Sequence, residues 1–215
     1  MLKRWLLCVL LALAGPAFAQ TPPAATPAAP LPRVVMETDK GRIVLELDTV
    51  RAPITARNFL RYVDARRYDG QQIYRAMKTG ENIGLIQGGI VTDGRLLYPG
   101  VAHEPTSQTG LTHVEGAISA PRGAVGTARA DFTIMVSPLH YLDAGPESGS
   151  GDGLGYAVFG RVVEGMEVVR IIFNSPTSPT EGTEHMRGQM LQPRVRIISA
   201  RRLVPVAPAR RPARR

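Results

Sequence analysis

Arg75 and Gln87 are the residues of this 215-residue chain whose positions most demand a chemical reason. Arg75 ends the semi-apolar run Ile73-Tyr74-Arg75, and Gln87 lies within Gly84-Leu85-Ile86-Gln87-Gly88-Gly89. Both runs have strand composition, where a permanently charged donor and a primary amide are out of place unless they hold something. Other chemistries are poorly supplied. The four histidines, His103, His113, His140 and His185, form no His-x-x-x-His pair and have no Cys partner, so zinc has no spacing motif to rest on. Gly151-Asp152-Gly153-Leu154-Gly155 runs into Tyr156-Ala157-Val158-Phe159-Gly160, a strand composition that withholds the helix N-terminus a phosphate loop requires. No Gly-x-Ser-x-Gly elbow is present, and neither Ser119 nor Ser137 sits in a recognisable nucleophile turn.

The elements that must position Arg75 and Gln87 are mostly strands. Val34-Val35-Met36-Glu37 and Arg42-Ile43-Val44-Leu45-Glu46-Leu47 flank the turn tetrapeptide Thr38-Asp39-Lys40-Gly41 and predict a hairpin. Ala52-Pro53 predicts a helix start with Pro in the first turn; Ala56, Phe59, Leu60 and Val63 then share one face, with Arg57, Arg61 and Asp64 facing out. Further strands are predicted at 72–75, 84–88, 116–120, 131–136 and 156–163, a second short helix at 166–173 and a β-rich closing segment at 195–203. Many short strands with two helices predict a mainly β fold, an antiparallel barrel whose ends are covered.

At these residues the sequence resembles the cyclophilin family of peptidyl-prolyl cis–trans isomerases, from about Val34 to Val195. Pro53-x-x-x-x-Asn58-Phe59 is similar to the family's first helix, and Tyr68-Asp69-Gly70 leads into its Arg motif. Gln87-Gly88-Gly89 resembles its central signature, and Tyr156 to Gly160 with Val163-x-Gly165-Met166-x-Val168-Val169 its late segment. The resemblance implies a closed eight-stranded antiparallel barrel capped by two α-helices, with a shallow groove on its outside. There Arg75 would be the catalytic arginine and Gln87 would hold the substrate backbone, while Leu85, Phe132, Thr133, Tyr141, Leu142 and Tyr156 would line the proline site. Tyr156 reads equally well as plain barrel packing. It implies substrates that are unfolded or folding proteins with X–Pro bonds, and no metal, nucleotide or other cofactor.

The likeness is thinner in the pocket. Gly84-Leu85 stand where the family has Phe-Met, Thr133 stands where it has a second aromatic, and Lys78-Thr79-Gly80-Glu81-Asn82 reads as an insertion. A non-catalytic peptide-binding or chaperone module is therefore the competing expectation. The retained Arg75 and Gln87 speak for catalysis.

Residues 1–19 carry a basic start, an apolar run and Ala17-Phe18-Ala19, which reads as a secretory signal with cleavage before Gln20 and hence export to the periplasm. Cys8, the single cysteine, falls inside it, so no disulfide is expected. Residues 20–32 read as a Pro/Ala-rich linker, 33–203 as the barrel domain and 204–215 as a disordered Pro/Arg-rich tail. Lys3, Arg4, Arg201, Arg202 and the four arginines of the tail account for the whole formal charge of +8, so the body is neutral in sum. No nucleic-acid partner is expected from such a body. The basic tail could instead touch anionic surfaces, and the protein is expected to be a monomer.

Overall fold

The computed structural model describes residues 30–203; the predicted leader, most of the linker and the basic tail lie outside them. The first two strands, β1 (Arg33–Thr38) and β2 (Gly41–Leu47), form the expected hairpin. The Thr38 hydroxyl donates to the Gly41 carbonyl at 2.7 Å and accepts the Lys40 amide at 3.1 Å. Gly41 turns at φ +130, and a Cβ there would lie 2.9 Å from Val168, so the corner requires glycine.

Helix α1 (Pro53–Asp64) follows with Pro at its start and buries Ala56, Phe59, Leu60 and Val63, as the spacing predicts. Its first amides find their acceptor fifty residues away. The Glu104 carboxylate, buried, accepts from Ile54 N at 3.0 Å, Thr55 N at 2.7 Å and the Thr55 hydroxyl at 2.7 Å. A negative charge there also suits the positive end of the helix dipole.

The remaining elements are β3 (Gln72–Gly80), β4 (Ile83–Gly89), α2 (Thr106–Thr109), β5 (Ala117–Ala120), β6 (Phe132–Met135), β7 (Ala157–Glu164), α3 (Met166–Phe173), β8 (Thr177–Ser178) and β9 (Met190–Leu203). Strands run in the order β1-β2-β7-β5-β6-β4-β3-β9, and β9 pairs back onto β1, closing an eight-stranded antiparallel barrel. The long β9 makes closure possible by pairing with β3 through its first half and with β1 through its second. The two-residue β8 pairs with the start of β9. Both β8 and the single turn α2 go beyond the expected eight strands and two helices, and both are too short to leave a periodic signal.

Inside the barrel Phe59 meets Tyr68, Phe132 and Phe159 at centroid distances of 5.0, 5.8 and 5.4 Å. Helix α3 packs against β2, β3 and β4. The segment read as an insertion at 78–82 is no separate loop. It prolongs the β3–β4 hairpin, with Asn82 at φ +55 in the turn.

Replacing Glu104 by Ala leaves two helix amides and a hydroxyl without acceptors in a buried site, a loss of about 2–4 kcal/mol. The expected result is a lower denaturation midpoint at unchanged slope; an unchanged midpoint would show that water or neighbouring carbonyls replace the carboxylate.

Candidate active site

Antiparallel register sets a polar row on the outer face of the barrel. Arg75 on β3 stands opposite Gln87 on β4, Gln87 opposite Thr133 on β6, and Thr133 opposite Ser119 on β5. A β-bulge between Ile73 and Arg75 makes the first pairing possible. Ile73 and Ala76 belong to the core, while both intervening side chains, Tyr74 and Arg75, reach the groove side.

The groove has a volume of about 580 Å³ and is lined by Arg75, Gln87, Leu85, Thr133, Tyr141, Leu142 and Tyr156, all expected there. Phe132, the remaining expected residue, is not. It is fully buried inside the barrel against Phe59 and Tyr68. Side chains alternate along a strand, so once Thr133 faces the groove its neighbour must face the core.

Arg75 is held from two sides. Its Nη1 donates to Gln87 Oε1 at 2.9 Å and its Nε to Gln189 Oε1 at 2.8 Å. Gln189 is fixed in turn, its side-chain amide donating to the His185 carbonyl at 3.2 Å and its own carbonyl accepting from Ala76 N at 2.9 Å. These bonds leave Nη2 and one hydrogen of Nη1 for a ligand. Burial lowers the pKa of Arg75, and Tyr74, Tyr141 and Tyr156 oppose the shift; an arginine remains charged under such a shift. Since Arg75 can only donate, Gln87 turns its oxygen to the guanidinium and keeps its NH₂ as a donor.

Beside Gln87, Asp131 is half-buried and accepts the Tyr74 hydroxyl at 3.0 Å. Burial raises its pKa, while Tyr74 and Gln87 pull it back down. The aromatic absent at Gly84 could not be restored: φ is +152 and a Cβ would lie 1.9 Å from the Met77 carbonyl oxygen. Met77 instead lines the groove with Leu85, over a small apolar cluster of Leu85, Ala117, Met135, Leu139 and Val158 outside the barrel.

The wall carrying Tyr141 and Leu142 is a 3₁₀ turn, His140–Leu142, pegged to the barrel by His113. The Asp143 carboxylate accepts the His113 backbone amide at 3.0 Å and its Nδ1–H at 2.6 Å, and the His113 carbonyl accepts Leu139 N at 2.8 Å. With Nδ1 protonated, Nε2 accepts the Ser119 hydroxyl at 2.9 Å. Ser119, His113 and Asp143 thus have the connectivity of a hydrolytic triad. Ser119 and His113 are buried, however, and Ser119 lies within a paired strand and not in an exposed turn. The relay therefore sets the distance between the wall and the row Thr133–Ser119. Tyr156 closes the same wall, its amide donating to the Leu142 carbonyl at 3.0 Å.

Sequence reasoning missed His113, Asp143, Gln189, Asp131 and Met77. Gln189 lies 114 residues from Arg75 and His113 30 residues from Asp143, separations at which no local pattern operates. Asp131 and Met77 were within reach, because alternation from Thr133 and from Arg75 puts both on the groove face. Among the described residues no group of three His, Cys, Asp or Glu could hold a metal ion.

Burial lowers the pKa of His113, and Asp143 opposes the shift. The native state thus favours the neutral ring. Its contribution to stability is complete above the ordinary value near 6.5 and is lost as pH falls through the lowered native value. In His113→Gln, stability measured by denaturation from pH 7.5 to 5 should fall less with acid than in the parent. An identical slope would mean that His113 is not the buried neutral group. The same variant should show a raised KM for X–Pro peptides if the wall that His113 positions lines the substrate site, and an unchanged KM would set that wall apart from binding.

The family model described as cyclophilin type peptidyl-prolyl cis-trans isomerase/CLD matches residues 33–202. A peptidyl-prolyl cis-trans isomerase of Acinetobacter baylyi is 33% identical over 167 residues, 77% of this chain and 82% of that protein. Peptidyl-prolyl cis-trans isomerase A of Dickeya dadantii is 33% identical over 172 residues, 78% of this chain and 83% of its own. Among solved structures, a cyclophilin type isomerase of Cryptosporidium parvum superposes with a TM-score of 0.63 at 19% identity, covering 82% of this chain and 99% of that one. That last likeness concerns the fold.

Proposed function

The chain belongs to the cyclophilin-type peptidyl-prolyl cis–trans isomerases, and from that membership we propose that Arg75 drives rotation about X–Pro bonds by binding the twisted amide. The enzyme is an isomerase acting on proline-containing peptide segments. Amide resonance sets a barrier of roughly 18–20 kcal/mol to this rotation. No bond breaks and no cofactor is required. As the amide twists, the prolyl nitrogen recovers its lone pair and becomes a hydrogen-bond acceptor, which it is not in either planar isomer. A donor fixed beside it binds the transition state more tightly than the ground states.

The observation that carries this reading is the restraint of Arg75 by Gln87 and Gln189, which leaves N–H groups unpaired within the groove. A donor oriented before substrate arrives loses little on reorganisation. In the same scheme Met77, Leu85, Leu142 and Tyr156 receive the prolyl ring. The Gln87 NH₂ donates to a substrate carbonyl, which keeps one side of the bond still while the other turns. The leader-like residues 1–19 support export, so the clients would be proteins folding in the periplasm, met by a monomer.

Isomerisation of a short X–Pro peptide should be accelerated by the protein, and Arg75→Ala should lower kcat/KM about 10²–10³-fold, with Arg75→Lys recovering only part because a lysine lacks the fork. Absence of acceleration by the folded parent, tested with several residues before proline, would leave a binding groove without turnover.

A further inference from the structure

We propose that the groove continues into an arginine shoulder that selects X–Pro segments carrying carboxylate side chains close to the proline; the inference rests on the isomerase reading and names its substrate class. Many arginines of the protein have acid partners, Arg33, Arg161, Arg201 and Arg202 among them. Among the described residues Arg61, Arg67 and Arg129 have no ion-pair partner, and neither do Arg57, Arg66, Arg75, Arg187 and Arg196. Arg61 and Arg67 meet at one aromatic ring, so unpaired charge collects there although the body is near neutral in sum.

The shoulder is built on Tyr98. The Arg61 guanidinium lies 3.4 Å from the ring centroid and that of Arg67 3.7 Å. Two guanidiniums so close cannot share one face, so they clasp the ring from both sides. Arg67 also donates to the Leu96 carbonyl at 2.6 Å, and Tyr98 N donates to the Tyr62 hydroxyl at 2.8 Å, which ties the stack to α1. These cations are held in place, unlike solvated side chains that must be ordered by a ligand.

Two links join the stack to the groove. Leu97, next to Tyr98, lines the groove, as does Arg129. Arg129 is fastened to the same helix, its carbonyl accepting from Asn58 at 2.6 Å. Burial raises the pKa of the Tyr62 phenol, and the Tyr98 amide bonded to it, with weaker contributions from Arg67, Arg61 and Arg129, opposes the rise.

Nearby acids do not neutralise them. Asp64 is taken by Arg202 and Asp93 by Arg95, Glu104 is spent on the α1 amides, and Asp131, the only carboxylate lining the groove among the described residues, is half-buried and bonded to Tyr74. A peptide whose prolyl ring is in the groove extends along it, and a Glu or Asp a few residues from the proline reaches guanidiniums that match a carboxylate in shape and charge.

The test uses one X–Pro peptide made with Glu, Gln or Lys at each of the flanking positions on either side, with the full mature protein at low and moderate salt. Turnover and fluorescence anisotropy are both read. Glu at one or more positions should raise kcat/KM about threefold to tenfold over Gln at low salt, and added salt should shrink the ratio. The ratio should fall to about one in Arg129→Gln and in Arg61→Gln/Arg67→Gln. Equal turnover of Glu and Gln peptides by the parent, or a ratio that survives in the variants, overturns the shoulder while leaving the isomerase intact. Tight binding of an acidic peptide lacking proline, undiminished by loss of the groove contact, would also overturn it, as a polyanion site separate from the groove. If no peptide is turned over, the isomerase reading fails, and the anisotropy ratio then decides the selection of acidic peptides by itself.

Discussion

The guanidinium of Arg75, pinned between the side-chain oxygens of Gln87 and Gln189, is the interaction on which the rest of the structure bears. A long flexible cation on an open surface would spend most of its time in solvent orientations. Here the barrel supplies both restraints: Gln87 arrives by strand pairing from β4, and Gln189 immediately precedes β9, the strand that closes the ring. Closure removes the edges along which a sheet could slip its register, and register decides which residue faces Arg75. The bulge at Ile73–Arg75 then frees the arginine from the alternation that would otherwise give Tyr74 its place.

The groove around this cation is shaped by polar links as much as by apolar walls. Gly84 leaves no room for an aromatic, and Thr133 turns its hydroxyl toward the Ser119 carbonyl at 3.3 Å. What remains is a slot floored by small side chains and bounded by Met77, Leu85, Leu142 and Tyr156. One wall is fixed by the bond between buried His113 and half-buried Asp143, not by bulk. A groove with few aromatic walls offers a ligand hydrogen bonds and charge more than apolar area, which is consistent with an arginine-bearing extension of it.

Local physics was readable from the chain where it decided local structure. The hairpin about Gly41, the start and buried face of α1 and the full extent of α3 follow from turn residues, Pro placement and helical spacing. Arg75 and Gln87 stood out because strands rarely carry such residues without use. Phe132, which the resemblance implies for the proline site, obeys instead the two-residue alternation, which sends Thr133 outward and Phe132 in. Gln189, the Asp143–His113 link and the Glu104 cap of α1 depend on contacts across 30 to 114 residues, and only the closed barrel brings those segments together. Arg201 and Arg202, which stand close to the basic tail in the sequence, lie in β9 and are neutralised by Asp69 and Asp64.

Whether orientation of the guanidinium, and not merely its charge, drives isomerisation is tested most directly by Gln189→Leu, which keeps Arg75 and Gln87 but removes one of the two restraints. Steady-state kinetics on a single X–Pro peptide should show kcat reduced about tenfold with KM nearly unchanged, since the lost interaction matters only as the amide twists. An unchanged kcat in a variant that folds like the parent would contradict the central role given to that restraint.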